Sequence, residues 1–117
     1  MKFIIAGSRD ATDYEHCLTG VWKARAFGFE PTMIVSGMAR GADMLGVRYA
    51  LEHDLPLIRM PANWKELGRS AGHMRNAEMA RIGEVLVAIW DGVSPGTHNM
   101  IQTAKRRGLE VFIQPLR

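Results

Sequence analysis

The chain has a single cysteine, Cys17, among its 117 residues, which excludes an internal disulfide and leaves no thiolate cluster for a structural zinc. Cys17 is expected to be a small core residue of the first helix rather than a nucleophile. The four histidines, His16, His53, His73 and His98, lie far apart without metal-ligand spacing, so no metal site is expected. No apolar run approaches the ~20 residues that cross a bilayer, and no basic, signal-like apolar segment opens the chain. A cytoplasmic protein without a membrane partner is the expectation. Both the Gly-Lys-Ser/Thr phosphate loop and the G-x-G-x-x-G dinucleotide fingerprint are missing, which argues against an ordinary NTPase or dehydrogenase. No cofactor is implied. Excess charge of one sign is also scarce: fifteen Lys and Arg against twelve Asp and Glu give +3. That balance tolerates a phosphate-bearing partner without demanding nucleic acid.

What is present is the composition of one soluble domain spanning residues 1–117, with 47% hydrophobic and 23% charged residues, enough to fold around one core. Lys2 to Ala6 reads as a strand buried on both faces, stopped by Gly7. Thr12 and Glu15 have capping-box spacing, and Leu18, Val21, Trp22 and Arg25 follow at helical intervals up to Gly28. Met33 to Ser36 is a second strand, followed by a glycine-punctuated loop and a helix from Ala42 to His53. Leu57 to Met60 is a third strand. A long polar connection from Pro61 to Gly72, a candidate lid or rim, precedes a helix from about Met74 to Ile82. Val85 to Trp90 is the clearest strand. A helix from about Thr97 to Arg107 and a last strand, Val111 to Ile113, complete the pattern. Five strands alternating with four helices predict an α/β fold: a single Rossmann-like, doubly wound domain with about five parallel strands flanked by helices.

In such sheets ligands bind beyond the carboxyl ends of the strands. The residues placed there are Gly7, Ser8 and Arg9 after the first strand, and Ser36, Gly37, Arg40, Gly41 and Asp43 after the second. Trp64 follows the third, and Asp91, Ser94, Gly96 and Thr97 follow the fourth. Glycine next to a helix start lets a phosphate reach unpaired N–H groups at the positive end of the helix dipole. Ser8, Ser36, Ser94 and Thr97 offer hydroxyls, while Arg9, Arg40 and Arg75 offer guanidinium forks. Each feature also has a plainer reading. Arg40 is equally a solvated loop cation or a partner of Asp43, Asp43 a simple helix-start carboxylate, and Trp64 either a stacking wall for a base or a partly buried rim residue.

Val35-Ser36-Gly37-Met38-Ala39-Arg40-Gly41-Ala42-Asp43 resembles the glycine loop of the DprA-like proteins of the SLOG superfamily of Rossmann-like domains. His73-Met74-Arg75-Asn76-Ala77-Glu78-Met79-Ala80 is similar to the arginine-bearing helix start of the LOG phosphoribohydrolases, and Ser94-Pro95-Gly96-Thr97 stands where those enzymes carry Pro-Gly-Gly-x-Gly-Thr. With Gly7-Ser8-Arg9, the resemblance spans nearly the whole chain and is strongest to the small stand-alone YspA-type SLOG proteins. It implies a pocket for a nucleotide or nucleotide derivative, with Gly37, Arg40, Gly41 and Asp43 in one wall, Gly96 and Thr97 in another, and Arg75 and Asn76 on the helix between. The LOG loop continues to a catalytic glutamate. Met100 stands at that position here and cannot move a proton.

Three functions follow as expectations. The first is a binding module for a nucleotide-derived ligand, acting as sensor, carrier or sequestering protein. The second is a divergent nucleoside-monophosphate phosphoribohydrolase, an N-glycosidase in which Arg75 holds phosphate and Asp91 or Glu78 replaces the missing carboxylate. Glu78, three residues from Arg75, has the spacing of a surface ion pair with it. The third is DprA-like binding of single-stranded nucleic acid through Lys105, Arg106 and Arg107, which equally suit the carboxyl end of the last helix. A homo-oligomer is expected through an adaptable apolar face to which Met74 and Met79 of one helix contribute, although methionine in the core explains the eight methionines equally well.

Overall fold

A computed structural model describes residues 1–116. Along the chain run β1 (Lys2–Gly7), α1 (Tyr14–Ala26), β2 (Met33–Ser36), α2 (Ala42–Glu52), β3 (Leu57–Arg59), α3 (Trp64–Leu67), a 3-10 turn (Gly68–Ser70), α4 (Ala71–Ile82), β4 (Val85–Trp90), α5 (Pro95–Arg106) and β5 (Glu110–Pro115). The five strands form one parallel sheet in the order β3-β2-β1-β4-β5, the expected α/β, Rossmann-like architecture.

The apolar runs of β1 and β4 follow from helices covering both faces of the sheet. Phe3, Ile5, Ile34, Val85, Val87 and Ile89 point to one side and pack against Cys17, Val21 and Ala24 of α1 and Leu45 and Tyr49 of α2. Ile4, Ala6, Val35, Leu86 and Ala88 point to the other, against Met79 and Ala80 of α4 and Met100, Ile101 and Ala104 of α5. This period-two alternation is what a pleated strand imposes, and burial on both faces makes the interior of the central strands continuously apolar, as in Phe3 to Ala6 and Val85 to Ile89. Met79 is therefore core while Met74 is half exposed, so the two methionines do not share an outer face. Among the described residues no helix is long and apolar enough to cross a membrane.

Three local expectations are corrected. The cap of α1 is Asp13, not Thr12: its carboxylate accepts the Glu15 N–H at 3.0 Å. The buried face of α1 is Cys17, Gly20, Val21 and Ala24, and Trp22 is 66% exposed. Gly20 marks the contact line, where helix and sheet touch so closely that an added Cβ would lie 2.6 Å from Val87 Cγ1; Trp22, two residues on, falls on the opposite side of the helix. The connection after β3 carries α3 and the 3-10 turn, and α4 begins at Ala71, ahead of Met74.

The chain runs outward from β1 to β3 on one side and from β4 to β5 on the other, so β1 and β4 flank the switch point where such sheets open a crevice. Ser8 joins the two strand exits: its N–H donates to the Ile89 carbonyl at 2.9 Å, and its Oγ accepts the Asp91 N–H at 3.1 Å.

Candidate ligand-binding cleft

The floor of the crevice is set by the close approach of the β1 and β2 exits. Gly41, at φ +84°, caps α2, and an added Cβ there would collide with the carbonyl oxygens of Ser8 and Arg9. Only glycine combines that left-handed backbone with that contact. The first N–H of α2, from Ala42, donates to the Ser8 carbonyl at 3.1 Å. Ser36 is fully buried, donating to the Asp43 carbonyl and accepting the Met38 N–H, both at 3.1 Å. Ser36 and Gly41 thus shape the loop from beneath and do not line the cleft, whereas Gly37, Arg40 and Asp43 do.

Arg75 and Asp43 both stand against this loop at Gly37. Arg75 Nη1 donates to the Gly37 carbonyl at 2.7 Å, and its Nε donates to Asn76 Oδ1 at 3.1 Å. Asn76 in turn donates to Asn99 Oδ1 and to the Gly96 carbonyl, at 3.0 and 3.3 Å, so α4 links the β2 loop to the start of α5. Asp43 is 4% exposed, with Oδ2 accepting the Ala39 N–H at 3.1 Å. Burial pushes its carboxyl up to about 6, against the Ala39 hydrogen bond and the positive charge of Arg75. Burial also presses the Arg75 guanidinium below its ordinary value, opposed by Asp43, without neutralising it.

Asp91 has the opposite environment. Its carboxylate accepts the Ser94 hydroxyl at 2.6 Å and the N–H groups of Ser94 and Val93 at 2.7 and 2.9 Å. The Ser94 hydroxyl and N–H lead in holding it down at about 2. Asp91 is thereby the former of the turn that launches α5, and a weak base. Gly96 and Thr97, in the first turn of α5, carry N–H groups of the kind that helix starts leave unpaired, and both line the cleft.

The cleft has a volume of about 1040 Å³. Gly7, Ser8, Arg9, Gly37, Arg40, Asp43, Trp64, Arg75, Asn76, Asp91, Ser94, Gly96 and Thr97 all line it. Arg9 and Arg40 are exposed, and neither belongs to the ion pairs among the described residues, Arg25–Glu30, Arg48–Glu52 and Arg81–Glu78. Glu78 is placed elsewhere, bound to Arg81 at 2.9 Å on the outer face of α4. Lys105, Arg106 and Arg107 lie at the far end of α5 from the cleft.

Residues 1–67 match the family model described as YspA, cpYpsA-related SLOG family. The Gene 61 protein of Mycobacterium phage D29 is 33% identical over 122 residues, covering 95% of this chain and 94% of that protein. The chain belongs to the YspA, cpYpsA-related SLOG family. The family match covers the loops after β1 and β2, which hold Arg9, Gly37, Arg40 and Asp43.

Two further features complete this SLOG protein's cleft, the first without a clear signal in its sequence. Arg69 and His73 also line it, placed there by the 3-10 turn and the early start of α4, so the wall carries Arg9, Arg40, Arg69 and Arg75 together. Met100, 1% exposed, closes the floor beside Met79. That leaves Asp43 as the buried carboxyl facing the arginine-rich wall. Among the described residues no His, Cys, Asp and Glu cluster is suited to a metal ion.

Proposed function

We propose that this SLOG protein binds a nucleotide or nucleotide derivative in the cleft, as a sensor, carrier or sequestering module. The observation that carries the reading is the convergence of Arg9, Arg40, Arg69 and Arg75 with the start of α5 on one cleft of about 1040 Å³. Such a wall is built for anionic oxygens: guanidinium forks supply charge and paired donors, and the first turn of α5 supplies oriented N–H groups. Arg75 is held in place by Gly37 and Asn76, so little side-chain freedom is left to lose on binding. Titration calorimetry with nucleoside monophosphates, ADP-ribose and cyclic nucleotides tests it. Saturable one-to-one binding of at least one of these is expected; absence of binding by all of them at millimolar concentration overturns the reading.

One observation favours a second reading, an N-glycosidase. Asp43 is a buried carboxyl lining the cleft on the Arg75 side, and burial raises it to about 6, a form able to give or take a proton. The Asp91 carboxylate is held low by Ser94, and Glu78 stands on the outer face of α4 with Arg81. Release of free base from nucleoside monophosphates, abolished in Asp43→Asn, is the signature of that reading; intact nucleotide after prolonged incubation excludes it.

A further inference from the structure

The outer rim of the cleft is a self-contained tip. No residue from Pro61 to Ser70 is buried, and α3 and the following turn pack chiefly on one another and on α4. The tip is ordered from within. Asn63 caps α3, its Oδ1 accepting the Glu66 N–H at 3.3 Å and its Nδ2 donating to Glu66 Oε2 at 3.2 Å, while the Ser70 hydroxyl donates to the Leu67 carbonyl at 2.9 Å. This fixes Trp64 at the first position of α3.

The indole then leans on Gly72 at the start of α4. A Cβ at that position would lie 3.3 Å from Trp64 Cη2 and 3.8 Å from Cζ2, so the missing side chain leaves the ring edge resting close to helix backbone. Trp64 nevertheless remains 52% exposed and lines the cleft. A large, flat, apolar surface supported by protein and open toward an arginine-lined cleft gains free energy when an aromatic ring covers it. Arg69 and His73 stand on the same rim.

We propose that Trp64 is the stacking platform for the base of the bound nucleotide, so that the cleft selects a nucleoside phosphate over the corresponding sugar phosphate. The inference rests on the nucleotide-binding reading above. The half-buried Arg75 and the start of α5 supply the anion site, and the tip supplies the base site. Stacking on an indole tolerates any base, because every base has a π-face.

The test is calorimetric titration of the full chain with adenosine monophosphate and with ribose 5-phosphate, in the native protein and in Trp64→Ala and Trp64→Phe. In the native protein the nucleotide is expected to bind at least about tenfold more tightly than the sugar phosphate, within the range of base–aromatic stacking. Trp64→Ala removes that advantage and leaves ribose 5-phosphate binding as it was, which also shows that the variant is folded. Trp64→Phe keeps most of the advantage. Equal affinity for the two ligands in the native protein, or an equal loss for both in Trp64→Ala, overturns the role of Trp64 while leaving the nucleotide-binding reading in place. Failure of both ligands to bind the native protein counts against that reading itself.

Discussion

Arg75, on α4, donates a 2.7 Å hydrogen bond from Nη1 to the carbonyl of Gly37, at the exit of β2. The space a side chain at position 37 would need is already taken: an added Cβ would run into the Arg75 guanidinium, 2.7 Å from its Cζ, and would lie 2.8 Å from Asp43 Oδ2. Gly37 is therefore required by the two charged groups that close over it rather than by its own backbone conformation.

Gly37→Ala follows directly. The obstructed atoms are the ends of side chains, so the fold is expected to survive with a loss of about 1–2 kcal/mol, while Arg75 is driven from its place. Nucleotide affinity should fall about tenfold or more, with an unchanged far-UV circular dichroism spectrum. Native affinity in this variant would show that the position of Arg75 does not matter.

Asp43 makes stability depend on pH in a defined direction. Its carboxyl is raised from an ordinary 3.8 to about 6 in the folded chain, so between those values the folded state binds more protons than the unfolded one. Stability therefore falls as pH rises through that window, by at most about 3 kcal/mol for this group. Thermal melts of the native protein and Asp43→Asn from pH 4 to pH 7 should diverge, with the variant gaining relative to the native protein as pH rises. Parallel curves would mean that Asp43 ionises normally.

At Gly20 propensity and packing oppose each other. Gly20→Ala gains about 1 kcal/mol of helix propensity, but the new methyl group would lie 2.6 Å from Val87 Cγ1, inside the α1–sheet contact. Overpacking of that kind costs about 1–3 kcal/mol, so the net change in a denaturant melt is expected to be destabilising. A stabilised variant would show that α1 has room to move off the sheet.

The sheet was legible because strands buried on both faces leave continuous apolar runs, and both β2 and β4 occupy their expected residues. The cleft loops were legible because glycine and serine must follow such strands wherever a helix start approaches. The electrostatics were not. Asp43 and Asp91 both follow a strand toward a helix start in sequence, yet Asp43 is buried in the first turn of α2, while a turn at Ser94 saturates Asp91. Glu78 has an arginine three residues away on either side, and spacing cannot choose between them. Arg75 is drawn to the Gly37 carbonyl, which leaves Glu78 to Arg81. Arg69 carried no periodic signal, because its place depends on a 3-10 turn in a connection with no core contacts to pattern it.

The central claim is that the arginine-lined cleft holds a nucleotide through Arg75. Titration of the native protein and Arg75→Ala with the nucleotide that binds most tightly tests it most directly. The account predicts saturable one-to-one binding to the native protein and a loss of about tenfold to a hundredfold in the variant, the scale of a charge-assisted hydrogen-bonding group. Equal affinity in the two proteins would contradict it.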